Sequence, residues 1–194
     1  MNLNMERLAI GGGALVLGLL AGWMIRGVAT YSTTSESNTV YNDWRVFCPQ
    51  AATENVSCEI SGDVVDPELK ATVARISSAR DSRNKENPNA EEIAFTLPLN
   101  VLLQNGVGVQ IGKEPVKTIK YRSCNQAACI AITPLDDAML NAMKSGTETK
   151  LSFIGAQPNA KAQTLTVSYN GFNAAHRAYE RGNSKRNSWF WRMW

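Results

Sequence analysis

The sequence predicts a mostly β protein, in which one β-sandwich-like domain with two short helices follows a single N-terminal transmembrane helix. Three observations support this prediction. An uncharged apolar run occupies residues 8–25. Beyond it, apolar residues recur at every second position over several short stretches, which is the period of half-buried strands. About 150 residues follow the run and a polar linker, enough for one domain with a full-sized core. We divide the chain into a signal anchor at 1–28, the linker at 29–42, the domain at 43–180 and a basic and aromatic tail at 181–194.

The apolar run is about 18 residues long, and a helix of that length rises about 27 Å, just enough to span the hydrocarbon core of a bilayer. Two interpretations remain open. Gly27-Val28-Ala29 could be the cleavage site of a secretory signal, whereas the length of the run favours a retained anchor. We expect retention as a single-pass anchor. The N-terminus would then be cytoplasmic, and the domain would face the oxidising side of the membrane.

One face of the apolar run carries small residues at every fourth position: Ala14, Gly18 and Gly22. Small residues let two helix backbones approach closely, which is how many helices associate in lipid. Glycine is also simply common in membrane helices. We expect this face to pack against another transmembrane helix, so that the bilayer and a membrane protein complex are the partners.

All four cysteines lie beyond the anchor, in two close pairs, Cys48 with Cys58 and Cys124 with Cys129. An even number of cysteines in an exported chain predicts disulfides, and three pairings are formally possible. The local pairing is favoured because each partner is near in sequence. A four-cysteine zinc site is the alternative, but it would need two to four residues between the cysteines of both pairs, and nine separate Cys48 from Cys58. An oxidising compartment also opposes free thiolates. We therefore predict no metal and no cofactor.

Strands make up most of the predicted domain. The weaker patterns lie at Trp44–Cys48 and Ala71–Ala79, and residues 80–90 form a charged loop. Clear alternation marks residues 93–99, 107–111, 119–121, 151–153 and 165–169. Turn signals occur at Asn105-Gly106, Pro158-Asn159 and Asn170-Gly171.

The first helix is predicted to begin at Thr133-Pro134, because threonine can cap free amide groups and proline suits the first helical position. Asp136 and Asp137 complement the positive N-terminus of that helix, and Gly146 can end it.

The second helix is predicted to follow Gly171 and to end at Gly182. It carries His176, the one histidine of the chain. No nucleophile signature accompanies this histidine, so we expect a surface or capping role rather than catalysis. The adjacent carboxylates of Glu91-Glu92 are expected to be solvated. No catalytic residue is predicted.

The domain carries five segments in a recognisable order: Trp44–Cys48, Cys58–Ile60, Phe95–Val101, Tyr121–Cys124 and Ser168–Phe172. This ordered set resembles the invasion-associated locus B family, and the resemblance covers about residues 43 to 178. It implies an exported, periplasmic or envelope-associated protein of a Gram-negative cell, so that the anchor would lie in the bacterial inner membrane and the domain in the periplasm. Some members of the family are linked to host-cell invasion, and the family has no agreed biochemical activity.

Two departures from the family pattern affect the functional interpretation. The family commonly begins with a cleavable signal, whereas the apolar run of this chain is predicted to be a retained anchor. The chain also continues past the usual end of the family, through Tyr179 to Trp194. That extension ends in a dense aromatic segment, formed by Trp189, Phe190, Trp191 and Trp194. Exposed aromatic clusters mark interfaces, and tryptophan favours binding hot spots and membrane surfaces. Folding back onto the domain is the alternative.

The sequence therefore favours a non-catalytic, membrane-anchored accessory subunit or adaptor of a membrane protein complex. The alternative is a free envelope protein that acts in host-cell interaction or envelope integrity. The formal net charge of +3 is too small to indicate a nucleic-acid partner.

Overall fold

The computed structural model describes residues 15–22, 36–49, 57–65, 70–80, 86–87, 89–146 and 148–187. In these residues the protein is mostly β, as predicted, with two antiparallel sheets. The strands are β1 Ser37–Tyr41, β2 Trp44–Cys48, β3 Glu59–Val65, β4 Thr72–Arg80, β5 Glu91–Leu97, β6 Val107–Ile111, β7 Lys117–Ile119, β8 Tyr121–Cys124, β9 Cys129–Pro134, β10 Glu148–Ile154 and β11 Ala162–Ser168.

The larger sheet has seven strands in the order β1-β2-β3-β4-β5-β9-β8, and the smaller has four in the order β11-β10-β6-β7. Strand β11 contacts β3 and β4, so the two sheets share one core. Phe95 and Leu97 of the larger sheet and Leu151 and Val167 of the smaller are all fully buried in it. Each such side chain contributes about 1.5–3 kcal/mol through burial, so this shared core is the main source of stability.

The helices are α1 at residues 15–22, α2 Asp137–Ser145 and α3 Phe172–Asn187. A short 3₁₀ turn, Leu103–Asn105, precedes β6. Helix α1 is the described part of the predicted anchor, and its side chains are exposed. Across the described ranges, no helix combines the length and apolar character needed to cross a membrane.

Helix α3 packs over β1, β2 and β3 through aromatic rings. The ring centroids of Trp44 and Phe172 lie 4.7 Å apart, edge to face. The indole of Trp44 also donates a 2.8 Å hydrogen bond to the carbonyl of Ser168. Gly171 makes the turn into the helix at a φ of 90°, where a β-carbon would collide with the carbonyl of Tyr41. This arrangement fixes the N-terminal end of α3 against the larger sheet.

Two strand predictions need correction. Residues 37–41, assigned to the polar linker, form β1 at the edge of the larger sheet, where four of its five residues are exposed and leave no alternating pattern. The alternation of Ile119 with Tyr121 is real, but the two residues belong to β7 and β8 in different sheets. The chain crosses from one sheet to the other at Lys120.

Both helix predictions are wrong at one end. Thr133 and Pro134 are the last residues of β9, and α2 begins at Asp137, with the Asp136 side chain accepting a 2.7 Å hydrogen bond from the amide of Met139. Helix α3 does not end at Gly182 but continues to Asn187. Gly146 does end α2, as predicted.

Candidate functional site

Both disulfides have the local pairing that the sequence favours. Cys48–Cys58 links the end of β2 to the residue that precedes β3, and Cys124–Cys129 closes the β8–β9 hairpin. Because all four cysteines are bridged, none is a free thiol nucleophile. Disulfides persist in oxidising compartments, so the two bridges indicate an exported, non-cytoplasmic domain.

The first disulfide lies directly against α3. A β-carbon placed on Gly182 would be 2.7 Å from Sγ of Cys58 and 2.9 Å from Sγ of Cys48. The neighbouring Asn183 is buried, and its side-chain oxygen accepts a 2.8 Å hydrogen bond from the amide of Cys58. Gly182 therefore lets the helix approach the disulfide instead of ending the helix.

The predicted interaction residues lie at the two ends of the chain. On α1, Gly18 and Gly22 are exposed, and a β-carbon at either would meet no described atom within 4 Å. Ala14 lies outside the described residues, as do the tail aromatics Trp189, Phe190, Trp191 and Trp194. Helix packing and tail docking thus stay predictions.

His176 is not a surface or capping residue, because only 7% of it is exposed. Its imidazole lies between the rings of Phe172 and Tyr179, with centroid distances of 5.8 and 6.1 Å. One helical turn on, Oε1 of Glu180 lies 4.0 Å from Nε2 of the histidine. The sequence prediction failed because burial of this face depends on the packing of α3 against the sheet.

A group of polar residues surrounds this histidine, formed by Arg80, Glu91, His176, Tyr179 and Glu180, and we call it the α3 polar cluster. Arg80 and Glu91 are cross-strand partners on β4 and β5. Nη2 of Arg80 lies 3.3 Å from Oε2 of Glu180, so this carboxylate presents one oxygen to the arginine and the other to the histidine. The carboxylates of Glu91 and Glu180 and a ring nitrogen of His176 lie within 4.8 Å of one another.

The cluster alters the acidity of its members. Burial, followed by the nearby Glu180 carboxylate, raises the pKa of the Glu91 carboxyl above its ordinary value. Burial, followed by the charge of Lys144 on α2, lowers the pKa of His176, while Glu180 acts in the opposite direction. Burial and then the Glu91 carboxylate raise the pKa of the Tyr179 hydroxyl. Burial therefore favours the neutral form of the imidazole, which lies beside the two carboxyl groups.

Polar atoms without a hydrogen bond concentrate in and beside this cluster. Among the described residues, the buried side-chain atoms of this kind are Tyr121 Oη, Arg80 Nε, His176 Nε2 and Asn183 Nδ2. Tyr179 Oη also lacks a short hydrogen bond, but it faces the Glu91 carboxyl and interacts with it. Burying a polar atom without a partner costs about 1–3 kcal/mol, so such a concentration calls for an explanation.

A second feature is an apolar loop at residues 99–103, which we call the leucine loop. Leu99, Leu102 and Leu103 are 40%, 37% and 54% exposed. The loop is nevertheless held in place, because the amide of Leu102 donates to the carbonyl of Ile154 at 2.7 Å and Val101 is buried. It presents three leucines to solvent on a fixed backbone.

A third feature is a groove of about 260 Å³ between β6 and α2. Ile111 and Met139 line it, as do Lys117 and Asp136, whose charged groups lie 4.0 Å apart. Pockets for small molecules usually enclose about 300–1,000 Å³, so this groove suits a single side chain better than a metabolite.

Sequence reasoning missed both the α3 polar cluster and the leucine loop. The spacing of His176 and Glu180, four residues apart on a helix, places both side chains on one face and was the available signal. Glu91 and Arg80 give no such signal, because only the pairing of β4 with β5 brings them to α3. The alternating pattern places Leu99 in a strand that continues past Leu97, whereas β5 ends at Leu97, and no pattern marks Leu102 and Leu103.

Comparison with known proteins gives the same fold. The structure is similar to the crystal structure of invasion associated protein b from Bartonella henselae, with a TM-score of 0.63 and 21% sequence identity. That match covers 74% of this chain and 96% of the Bartonella chain. No curated protein matches the sequence. The model of the invasion associated locus B (IalB) protein family matches residues 44–180. The chain therefore belongs to the invasion associated locus B family.

Proposed function

We propose that this protein is a non-catalytic, membrane-anchored accessory subunit or adaptor that binds a protein partner at the cell envelope through its leucine loop. One observation carries the proposal: three exposed leucines lie within five residues on a backbone that the domain already holds in place. Clustered exposed apolar side chains mark interaction sites. A fixed loop loses little conformational freedom on binding, which favours affinity.

The two ends of the chain fit the same proposal. The small-residue face of Ala14, Gly18 and Gly22 would pack against a transmembrane helix of the partner complex, with the anchor retained in the inner membrane. The aromatic tail at Trp189, Phe190, Trp191 and Trp194 would add a second contact, to the complex or to the lipid surface. The domain would then lie in the periplasm, close to the membrane.

Two matched variants test the leucine loop. Fully burying a leucine contributes about 1.5–3 kcal/mol, and these side chains are roughly half exposed, so each should contribute about 1 kcal/mol on binding. Replacing Leu102 and Leu103 together with serine should therefore weaken the complex about 30-fold. The control replaces Val40 of β1 and Val65 of β3 with serine; these valines are 60% and 53% exposed and lie outside the leucine loop.

The measurement is recovery of partner proteins with the full-length chain in mild detergent. The loop variant should lose its partner while the control keeps it, with both domains folded. If both variants recover the same amount of partner protein, the leucine loop is not the binding surface.

A second candidate is a free envelope protein that acts in host-cell interaction. It is favoured by the structural similarity to a protein described as invasion associated, from Bartonella henselae. The intact mass of the mature chain separates the two candidates. A mature N-terminus near Thr30 would favour the free protein, and an intact anchor would favour the accessory subunit.

A further inference from the structure

We propose that Glu91, His176 and Glu180 form a binding site for a divalent cation of the zinc class, and that the bound ion joins α3 to the start of β5. The site is distinct from the leucine loop and does not depend on the proposed function. The sequence alone does not indicate this site, because Glu91 lies on a strand 85 positions before His176.

The geometry is close to what a cation of this class requires. Zinc binds imidazole nitrogen and carboxylate oxygen at about 2.0–2.2 Å, which in a tetrahedral site places ligand atoms about 3.4 Å apart. The three candidate ligand atoms lie within 4.8 Å of one another, and the Nε2–Oε1 distance between His176 and Glu180 is 4.0 Å. Side-chain movements of about 1 Å would close the site around an ion.

The state of the histidine is an independent indication. Only 7% of the residue is exposed, and its Nε2 is buried without a hydrogen bond on the side that faces Glu180. An ion would give this nitrogen the partner that it lacks within the described structure.

The remaining members of the cluster fit the surroundings of a metal site. Arg80 contacts Oε2 of Glu180 and so orients that carboxylate with Oε1 toward the histidine. Residues that hold ligating carboxylates in this way tune metal affinity. The 40% exposure of the Glu180 side chain leaves a path by which the ion can enter.

The donor set indicates the class of ion. One imidazole with two carboxylates suits zinc and its first-row neighbours, whereas calcium takes six to eight oxygen ligands and magnesium keeps several waters. Two carboxylates also disfavour an anion. The charges of Arg80 and Lys144 oppose a cation, so binding depends on direct coordination by the imidazole and the two carboxylates rather than on the net charge of the cluster.

The test uses the full-length, oxidised, untagged chain in detergent, freed of metal and titrated with zinc chloride. Calorimetry should show one zinc per chain, and the unfolding midpoint should rise with zinc concentration. Because the chain has one histidine, ¹⁵N-histidine labelling gives one imidazole in the NMR spectrum, and zinc should shift its signals.

Three variants locate the site. Glu91→Gln, Glu180→Gln and His176→Gln should each weaken zinc binding at least about tenfold, as losses of ligands or their supporting groups typically do. The control is Glu148→Gln, whose side chain is also 40% exposed and lies beside Lys150. It should leave zinc binding unchanged.

Absence of stoichiometric zinc binding by the wild-type chain would overturn the proposal. So would an imidazole signal that zinc does not move, or undiminished binding by both glutamate variants. If His176→Gln fails to fold, the two near-isosteric glutamate variants decide the question.

Discussion

Replacing Gly182 with alanine is expected to destabilise the domain, although alanine is the better helix former by about 1 kcal/mol. The new β-carbon would lie 2.7 Å from Sγ of Cys58 and 2.9 Å from Sγ of Cys48, whereas non-bonded atoms prefer about 3.5–4.0 Å. The two sulfurs are bonded to each other, so neither can turn away as a free side chain would. Overpacking typically costs about 1–3 kcal/mol. Because the new β-carbon contacts both sulfurs, we expect the free energy of unfolding to fall by about 1–2 kcal/mol after the gain in helix propensity is subtracted.

The assay is thermal unfolding of the oxidised full-length chain, followed by circular dichroism. A loss of 1 kcal/mol lowers the midpoint by about 2–4 °C in a domain of this size. The matched control is Ser184→Ala at an exposed position of the same helix, which should be neutral or slightly stabilising.

A double-mutant cycle makes the physical reason testable. Replacing Cys48 and Cys58 with alanine removes both sulfurs, so Gly182→Ala should become stabilising in that background. A Gly182→Ala variant at least as stable as the wild type would refute the reasoning. The same would follow from an equal penalty with and without the disulfide.

Asn183→Ala should lower the free energy of unfolding by about 1–3 kcal/mol, because it leaves the buried amide of Cys58 without its acceptor; urea denaturation measures this loss. Trp44→Phe should cost about 2 kcal/mol through a smaller ring and an unpaired carbonyl of Ser168, and an unchanged urea midpoint would contradict that value. Deleting residues 188–194 should leave the unfolding midpoint unchanged but abolish recovery of the partner complex; unfolding of the truncated chain would instead assign the tail to the core.

The strands that could be predicted are those with one face in the core. In β5, Ile93, Phe95 and Leu97 are fully buried while the residues between them are partly exposed, and this period of two is visible in the sequence. Strand β1 could not be predicted in this way. It lies at a sheet edge and is mostly exposed, so its place in the fold depends on backbone hydrogen bonding to β2 rather than on burial of side chains.

The functional features were less predictable, because they depend on contacts between distant segments. Glycine is typical of helix ends, yet Gly182 lies inside α3, where it makes room for a disulfide whose cysteines lie more than 120 positions earlier in the chain. His176 could be placed on a helix, but its burial and its proximity to Glu91 follow from where that helix packs. The disulfides were predictable because each pair is local and the apolar N-terminal run predicts export to an oxidising compartment.

The most direct test of the proposed binding function is site-specific photo-crosslinking in living cells. A photoreactive amino acid at Leu103 should give one discrete adduct of higher mass in the envelope fraction, and the same amino acid at Val65, which is equally exposed on β3, should give none. Absence of an adduct from position 103, or an identical adduct from position 65, would contradict partner binding through the leucine loop.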